Sequence, residues 1–288
     1  MASQIRAVQR TQLGNGFAEW AGEIMQMVAR AYRSRKFASR SGSLHAKIVR
    51  MGAVGIAAGC AGAVAVAAGA AAWSAMAPSS QIFGPTIRNT QDSGAIALTF
   101  DDGPNPAVTP ALLEVLEQND VRATFFVLGK FVRALPELAL EIVARGHTIA
   151  NHTETHPRLA FLPATKVREE LMQCRDAIAS ATTRDTEWMR PPFGFRGPNL
   201  NSVVREMGFG GVVMWSRWAW DWKPQPAGPV IRRLRRVQGG DIVLLHDGDH
   251  RRVDGDRQHT VTAMEYWLPR WRDAGMRFVT LNDWKRKS

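Results

Sequence analysis

The sequence predicts an α/β protein: a barrel of seven parallel βα units, a (β/α)7 barrel, preceded by one N-terminal transmembrane helix. Short apolar runs alternate with helical patterns from residue 93 onward, which is typical of a parallel sheet covered by helices. Chemically reactive side chains follow several predicted strands, at the edge where barrel enzymes place their active sites. A long uncharged stretch separates a basic N-terminal arm from this domain, as expected for a membrane anchor.

The predicted barrel occupies residues 93–288. Its seven strands are predicted at residues 95–100, 123–127, 148–151, 187–190, 211–215, 241–245 and 277–281. Helices are predicted between most of them, at residues 110–118, 136–144, 164–181, 198–207, 230–236 and 261–274. Strands this apolar need cover on both faces, which a barrel provides. A doubly wound open sheet is the alternative, but the chain has no Gly-rich phosphate loop after a strand.

The uncharged stretch lies within residues 51–77, between the basic arm at residues 1–50 and a predicted linker at residues 78–92. The 24 residues 52–75 contain twelve Ala and five Gly. As a helix they would measure about 36 Å, enough to cross a hydrocarbon core of about 30 Å. Because Ala and Gly are only weakly apolar, a buried Ala-rich helix is the alternative. The length without charge favours a membrane anchor.

The distribution of charge predicts the orientation of this anchor. Residues 1–50 hold nine Lys and Arg and two Asp and Glu, whereas the other 238 residues hold 28 and 24, so +7 of the net charge of +11 lies in the arm. The positive-inside rule then keeps the arm in the cytoplasm and places the barrel outside it. Residues 75–77 resemble a signal-peptidase site, but Pro78 disfavours cleavage there, so an uncleaved single-pass anchor is predicted. The nearly balanced charge of the barrel argues against a nucleic-acid partner.

Two histidines four residues apart, His152 and His156, are candidate metal ligands. Around a turn their imidazoles can converge on one ion, and one further carboxylate would complete a three-ligand site with room for water and substrate. The spacing alone is weak evidence, because pairs of surface histidines are common. The segment also differs from the zinc-protease H-E-x-x-H pattern, since Glu154 occupies another position.

Asp101 and Asp102 end the first predicted strand and would supply that carboxylate. Adjacent residues of a strand point to opposite faces, so the two side chains are expected to have separate tasks. One would bind the metal, and the other would face the attacking water. A simple Asp-Asp-Gly-Pro turn is the alternative. The end of a buried strand is, however, an unfavourable place for two charges without partners, which favours the functional interpretation.

Five motifs, in order along residues 95–281, resemble the polysaccharide deacetylases of carbohydrate esterase family four, the NodB-homology domain. The motifs are TFDDGP at residues 99–104, NHTETHP at 151–157, RPPFG at 190–194, DW at 221–222 and LLHD at 244–247. The resemblance implies a distorted barrel of that family's type. It also implies an enzyme that hydrolyses the N-acetyl groups of N-acetylglucosamine residues in peptidoglycan or in a chitin-like glycan and releases acetate. Oligosaccharides are an alternative class of substrate, because residues 101–106 also resemble the corresponding motif of chitooligosaccharide deacetylases.

By this resemblance Asp102, His152 and His156 hold a divalent metal, most often zinc, with cobalt or another divalent ion as alternatives. Asp101 is the base that takes a proton from the attacking water, and His246 is the acid that protonates the departing amine. The chemistry agrees, because an acetamide is a poor electrophile with a poor leaving group. Its hydrolysis needs an activated water, a stabilised oxyanion and a donated proton.

The same resemblance implies three supporting roles. Arg190 would orient the base Asp101, and Asp221 would partner the acid His246. The backbone N–H of Phe193 would help to hold the oxyanion. Phe193 stands where the family often has Tyr, a change that keeps the backbone donor and loses a phenol hydroxyl.

Four tryptophans, Trp215, Trp218, Trp220 and Trp222, follow the fifth predicted strand. Trp220 and Trp222 are candidates for a platform that stacks on a sugar ring, although core packing is expected for at least two of the four. Trp218 stands where the family often carries an additional Asp. The residues that set the pKa of the acid His246 are therefore expected to differ from those of the family. The charged loop at residues 247–259 is expected to form a solvated rim near the substrate.

Three other functions compete with N-deacetylation. An O-deacetylase of another polysaccharide would use the same residues. A non-catalytic glycan-binding module would require a missing catalytic group, and none is missing from the motifs. An Fe(II) oxygenase also binds its metal through two histidines and a carboxylate, but Asp101 and His246 would then have no task. A metal-dependent N-deacetylase, with an N-acetylated glycan as substrate and the membrane as partner through residues 52–75, explains the most residues.

Overall fold

The computed structural model of the chain describes residues 62–66, 69–70, 72–90 and 92–285. The chain forms two units, Met1–Val66 and Ala67–Ser288; of the first, residues 62–66 are described and are helical. The predicted arm at residues 1–50 and much of the predicted anchor at residues 51–77 therefore lie outside the described residues. No helix in the described ranges has both the length and the apolar character that crossing a membrane requires.

The second unit alternates strands and helices from residue 95 onward. The strands are β1 (Ala95–Gly103), β2 (Thr124–Val127), β3 (Thr148–Asn151), β4 (Trp188–Met189), β5 (Gly211–Val212), β6 (Arg217–Trp218), β7 (Ile242–His246) and β8 (Arg277–Phe278). The α-helices are α1 (Thr109–Gln118), α2 (Gly129–Ala134), α3 (Pro136–Ala144), α4 (Ala164–Thr182), α5 (Leu200–Glu206), α6 (Ala227–Leu234), α7 (Gln258–Asp273) and α8 (Leu281–Lys285).

The strands pair in parallel, in the order β5-β4-β3-β2-β1-β7-β6, and β8 pairs with the start of β1. β1 is central, since Phe100 is in register with Phe125 of β2 and with Leu245 of β7. No pairing joins β5 to β6 in the part of the chain that the structure describes, so strand hydrogen bonds do not close the barrel. The architecture is a half-barrel of parallel strands whose carboxyl ends share one edge.

The fully buried strand β1 separates two parts of the core. Ile96, Leu98 and Phe100 belong to a large apolar cluster that includes buried residues of the surrounding helices. Ala97 belongs to a second cluster with residues from β2, β3 and β7. Side chains alternate along a strand, so the face of β1 that carries Ala97 also leads to Asp101 at the carboxyl end.

Residues 86–90, part of the predicted linker at residues 78–92, lie against the open side of the sheet. Ile87 forms a parallel bridge with Val213, just after β5, and Asn89 forms an antiparallel bridge with Asp241, just before β7. Backbone hydrogen bonds support both bridges. The segment therefore connects the two sides of the half-barrel.

Most predicted elements are found near their expected places, and β3 and α3 have the predicted bounds. The prediction of seven regular βα units is wrong after β5, because β6 follows directly without an intervening helix. The last predicted strand ends at Phe278, and α8 begins at Leu281. Asp283 accepts hydrogen bonds from the backbone and hydroxyl of Thr280, and its own N–H donates to that hydroxyl. This capping box starts a helix where a longer strand was expected.

Candidate active site

A bulge at the end of β1 brings two aspartates into one site. The register between β1 and β2 shifts between Asp101 and Gly103, and Asp102 has a φ of 73°. This left-handed conformation, uncommon for a residue other than glycine, breaks the alternation of side chains. As a result Asp101 Oδ2 and Asp102 Oδ1 lie 3.8 and 3.5 Å from the same atom, His152 Nε2. The expectation that the two carboxylates point to opposite faces is therefore wrong.

The guanidinium of Arg190 holds Asp101. Arg190 directly follows β4 and is fully buried. Its Nη1 donates to Asp101 Oδ1 at 2.7 Å and to Thr99 Oγ1 at 2.8 Å. Nε and Nη2 donate to the carbonyls of Val213 and Met214. Burial lowers the pKa of Arg190, and the charge of Asp101 opposes this effect. The second oxygen of Asp101 remains directed toward the site.

The segment after β3 positions both predicted metal-binding histidines in a tight turn. Thr153 and His156 have φ values of 73° and 66°, so the turn is not helical. Asn151 Oδ1 accepts a hydrogen bond from the N–H of Thr153, and Thr153 Oγ1 accepts one from the N–H of His156. His152 Nδ1 lies 2.9 Å from the carbonyl oxygen of Arg190. This contact directs Nε2 of His152 toward the aspartates.

Asp102, His152 and His156 converge as three metal ligands would. The Nε2 atoms of His152 and His156 lie 3.5 and 3.2 Å from Asp102 Oδ1. Tetrahedral ligands at roughly 2.1 Å from a zinc ion stand about 3.4 Å apart. Asp102 Oδ1 is buried and has no hydrogen-bond partner among the described residues, a state that a bound cation would relieve. Two imidazoles and one carboxylate therefore fit zinc or another divalent ion.

Burial and neighbouring groups set the charges in this cluster. Burial alone would raise the pKa of Asp102, but the imidazoles of His156, His250 and His152 hold it well below its ordinary value. Burial lowers the pKa of His156 to about 2, against the opposing charge of Asp102. Asp102 is thus ionised and His156 neutral near pH 7, the protonation states that metal ligands require.

His246 ends β7, where its register partner is Asp101 of β1. Its Nδ1 lies 3.0 Å from Asp221 Oδ1. Asp221 Oδ2 accepts hydrogen bonds from the N–H of His246 at 2.8 Å and from Thr260 Oγ1 at 2.9 Å. Burial would lower the pKa of His246, but the charge and hydrogen bond of Asp221 raise it to about 9. The protonated imidazole keeps Nε2 for donation to another group.

A further buried carboxyl, that of Asp247, lies next to the end of β1. Thr109 Oγ1 donates to its Oδ2 at 2.5 Å, while Oδ1 has no hydrogen-bond partner in the described chain. Burial raises the pKa of Asp247 to about 7. The close approach of Asp247 explains the glycine at position 103, because a Cβ on Gly103 would collide with this carboxylate.

Exposed aromatic rings lie at the end of β6 and in the segments that follow β4 and β6. Trp218, Trp220 and Trp222 are 39%, 48% and 47% exposed, so the expectation that at least two of the four tryptophans are core residues is wrong. The rings of Trp218 and Trp220 have centroids 4.2 Å apart. Phe193, with a φ of 58°, is 42% exposed, and its ring meets His156 edge-on at 4.5 Å. Exposed aromatic surface of this kind marks a binding face.

Sequence reasoning missed His250, which lies in the loop after β7. The ring of His250 stacks on His156 with centroids 4.2 Å apart, and its Nδ1 lies 3.7 Å from Asp102 Oδ2. One ligand atom from each of these three residues lies within 4.8 Å of the others. A signal was present, because His246 and His250 repeat the four-residue spacing of the first histidine pair. The loop expected to be a solvated rim is thus partly built into the site.

Comparison with known proteins reveals relatives across most of the half-barrel. The family model for polysaccharide deacetylases matches residues 88–212. A chitooligosaccharide deacetylase of Bradyrhizobium is 39% identical over 183 residues, which cover 61% of this chain and 83% of the relative. A peptidoglycan-N-acetylglucosamine deacetylase of Bacillus cereus is 32% identical over 194 residues, which cover 65% of this chain and 86% of the relative.

A solved structure extends the similarity to the fold. The crystal structure of a peptidoglycan N-acetylglucosamine deacetylase superposes with a TM-score of 0.64 at 31% identity, covering 69% of this chain and 91% of the other. The family match includes β1, β3 and β4, the elements that position Asp101, Asp102, the first histidine pair and Arg190. The chain therefore belongs to the polysaccharide deacetylases of carbohydrate esterase family four, and it is a hydrolase of that family.

Proposed function

We propose that the protein removes acetyl groups from N-acetylglucosamine residues of peptidoglycan or of a chitin-like glycan, by metal-dependent hydrolysis that releases acetate. One observation carries the proposal. Three converging metal-ligand side chains, an arginine-bound carboxylate and an aspartate-bound imidazole occupy the same edge of one sheet. The relatives described as chitooligosaccharide and peptidoglycan deacetylases support the substrate class.

Asp102, His152 and His156 would hold the ion, and their donor types favour zinc. A divalent ion bound there supplies Lewis-acid stabilisation of the developing oxyanion and lowers the pKa of water. The protein's own contribution is to keep these ligands in the required protonation states, as burial does for His156. By the family resemblance, the backbone N–H of Phe193 would be a further donor for the oxyanion.

Asp101 accepts the proton of the attacking water at Oδ2. The hydrogen bond from Arg190 occupies Oδ1 at 2.7 Å and fixes the plane of the carboxylate. Because Arg190 is buried and bonded to two backbone carbonyls as well, it is itself held in one orientation. A general base that is already held in one orientation loses little conformational freedom when it aligns with the water.

His246 gives a proton to the departing nitrogen as the C–N bond breaks. The pKa near 9 keeps the imidazole protonated at neutral pH, and Asp221 orients it through Nδ1. An amine leaves poorly unless it is protonated, so this step separates amide hydrolysis from ester hydrolysis. The exposed rings of Trp220 and Trp222 would stack on sugar rings and hold the glycan beside the acid.

Acetate release from a panel of defined glycans tests the proposal. The panel contains N-acetylated chitooligosaccharides, peptidoglycan fragments and an O-acetylated polysaccharide. We expect release from N-acetylated substrates, loss of activity with a chelator, and recovery with zinc or cobalt. Release from the O-acetylated polymer alone would establish the O-deacetylase instead. Undiminished turnover by verified metal-free protein would contradict the metal requirement.

We further propose that the predicted anchor at residues 51–77 holds the chain in the cell membrane through its part before Ser74, with residues 1–50 in the cytoplasm. Residues 74–77 at its end bind the buried Arg196 instead. The support comes from the sequence, namely 37 residues without charge after Arg50 and a basic excess confined to the arm. A barrel placed outside the cytoplasm would meet its cell-wall or exogenous glycan there. The orientation is testable with reporter fusions.

A further inference from the structure

The loop between β7 and α7 places a third histidine against the metal-ligand cluster. The ring of His250 stacks on His156 at a centroid distance of 4.2 Å with 17° between the planes, and it meets Phe193 edge-on at 5.5 Å. Its Nδ1 lies 3.7 Å from Asp102 Oδ2, whereas Oδ1 of the same carboxylate faces His152 and His156. The Asp102 carboxylate therefore lies among three imidazoles.

Hydrogen bonds from within and outside the loop hold it in place around His250. Lys130 Nζ, at the start of α2, donates to the carbonyl of His250 at 2.6 Å. The preceding residue, Asp249, accepts a hydrogen bond at 3.1 Å from Arg257, which is 1% exposed. Asn105 Nδ2 donates to a carbonyl near the end of the loop at 2.7 Å. The loop is thus built to hold this imidazole over the cluster.

The ring of His250 helps to hold the neighbouring candidate ligand His156 by stacking on it. Histidines that bind metals usually donate their second ring N–H to an acceptor, which fixes the ring. His156 Nδ1 is buried and has no hydrogen-bond partner among the described residues. Its ring is held instead by aromatic contact, with His250 on one face and the edge of Phe193 against it.

We propose that His250 is a fourth protein ligand of the metal, which binds through Nδ1 and retains the ion when no substrate is present. The inference rests on the proposed metal-dependent function and adds a residue to it. One candidate ligand atom from each of Asp102, His156 and His250 lies within 4.8 Å of the other two, as residues that share one ion require. A catalytic metal needs an open position, and the side chain of His250, 26% exposed, is able to yield that position to the substrate.

The dissociation constant for zinc is the direct readout. The protein, His250→Ala, His250→Gln and Arg251→Ala are compared by competition with a chromophoric chelator. Arg251 is an exposed neighbour in the same loop and serves as the matched control. His250→Ala should weaken zinc binding by at least about tenfold, the scale of losing a supporting group at a metal site. His250→Gln should not restore it, and Arg251→Ala should bind zinc like the unchanged protein.

The visible absorption of the cobalt-substituted protein gives a second readout that does not depend on activity. Loss of an imidazole ligand should change the ligand-field bands in His250→Ala and leave them unchanged in Arg251→Ala. Thermal unfolding of each metal-free variant establishes that the loop change leaves the fold intact. A variant that fails to fold is replaced in both assays by His250→Gln, which preserves the size of the side chain.

The outcomes separate this inference from the proposed function. Equal zinc affinity and equal cobalt spectra in the protein and in His250→Ala would overturn the fourth ligand and leave the metal-dependent function standing. Full affinity in His250→Gln, with weak binding in His250→Ala, would show a hydrogen bond to Asp102 in place of ligation and would also overturn it. Absence of zinc binding in the unchanged protein would overturn both.

Discussion

At the scale of single residues, Asp101 and Asp102 share a site but differ in their partners. Asp101 is bound by the buried guanidinium of Arg190 at 2.7 Å. Asp102 instead faces the histidines, with His156 Nε2 at 3.2 Å. A carboxylate that is already paired with a cation keeps its orientation, whereas one that faces imidazole nitrogens is suited to share a metal with them.

These contacts predict different effects for the two aspartates. Asp102→Ala is expected to lose the metal, because it removes one of the ligands. Asp101→Asn should keep the metal and lose about 10²–10⁴ in kcat, the usual contribution of a general base. Zinc content by atomic absorption and acetate release together distinguish these variants. Metal loss confined to the Asp101 variant would exchange the two assignments.

The pH profile reports on His246 and Asp221. Since the pKa of His246 is raised to about 9, the protonated acid is present below that value and is lost as pH rises through it. In Asp221→Asn the charge that raises the pKa is gone and burial remains, so the alkaline limb of kcat/KM should move to lower pH. By linkage, the stabilisation that Asp221 confers is complete below the unfolded pKa of about 6.5 and disappears through about pH 9. If the alkaline limb does not move in Asp221→Asn, it reports the titration of a group other than His246.

His246 is expected to matter more for amides than for esters. His246→Ala should lower acetate release from an N-acetylated oligosaccharide by about 10²–10⁴, because the amine then leaves without a donated proton. An activated acetate ester has a better leaving group and should lose much less. Zinc content should not change, since His246 is not among the proposed ligands. Equal losses on both substrates would indicate a role in binding or structure.

At the scale of elements, a buried arginine binds the segment before β1 to the half-barrel. Arg196 Nη1 donates to the carbonyl of Ser80 at 2.6 Å, and Nη2 donates to the carbonyls of Ser74 and Ala77. Its own N–H donates to the carbonyl of Ala75 at 2.9 Å. Arg196 is fully buried, and burial lowers its pKa. The segment at residues 74–80 is therefore part of the folded unit, and the prediction that the anchor extends to residue 77 is wrong for residues 74–77.

Removing this guanidinium should destabilise the fold. Arg196→Met leaves buried carbonyls without donors, so the free energy of unfolding in urea should fall by about 2 kcal/mol or more. Arg205→Met, on the exposed face of α5, is the control and should change stability by less than about 0.5 kcal/mol. A chain beginning at residue 81 should lose similar stability, and Arg196→Met should add little to that loss. Full additivity of the two changes would contradict the interaction.

At the scale of the whole molecule, the uneven distribution of charge predicts the orientation of the chain. A phosphatase that is active only outside the cytoplasm should be active when fused after Ser288 and inactive when fused after Arg50. Replacing the basic residues of the arm with neutral ones should weaken this difference, because they set the orientation. Recovery of the full chain in the soluble cytoplasmic fraction would contradict the anchor.

Local patterns were sufficient to predict where the candidate site residues around three strands lie. In β1, β3 and β7 an apolar run ends in polar residues, and parallel strands place those ends at one edge. The positions of Asp101, His152 and His246 follow from this rule and from the order of the motifs. A six-residue helix such as α2 escapes prediction, since it is too short to show a period.

The sequence by itself determined the parallel α/β class, the motifs and the residue types that make up the candidate site. Only the tertiary structure decided the bulge at Asp102, the open side of the half-barrel, the exposure of the tryptophans and the approach of His250 to His156. The physical reason is that these features depend on contacts between distant parts of the chain. Arg196 and Ser74, for example, are 122 residues apart. The periodicity of a local segment cannot indicate such a contact, because the contact stabilises the chain only when both segments are folded together.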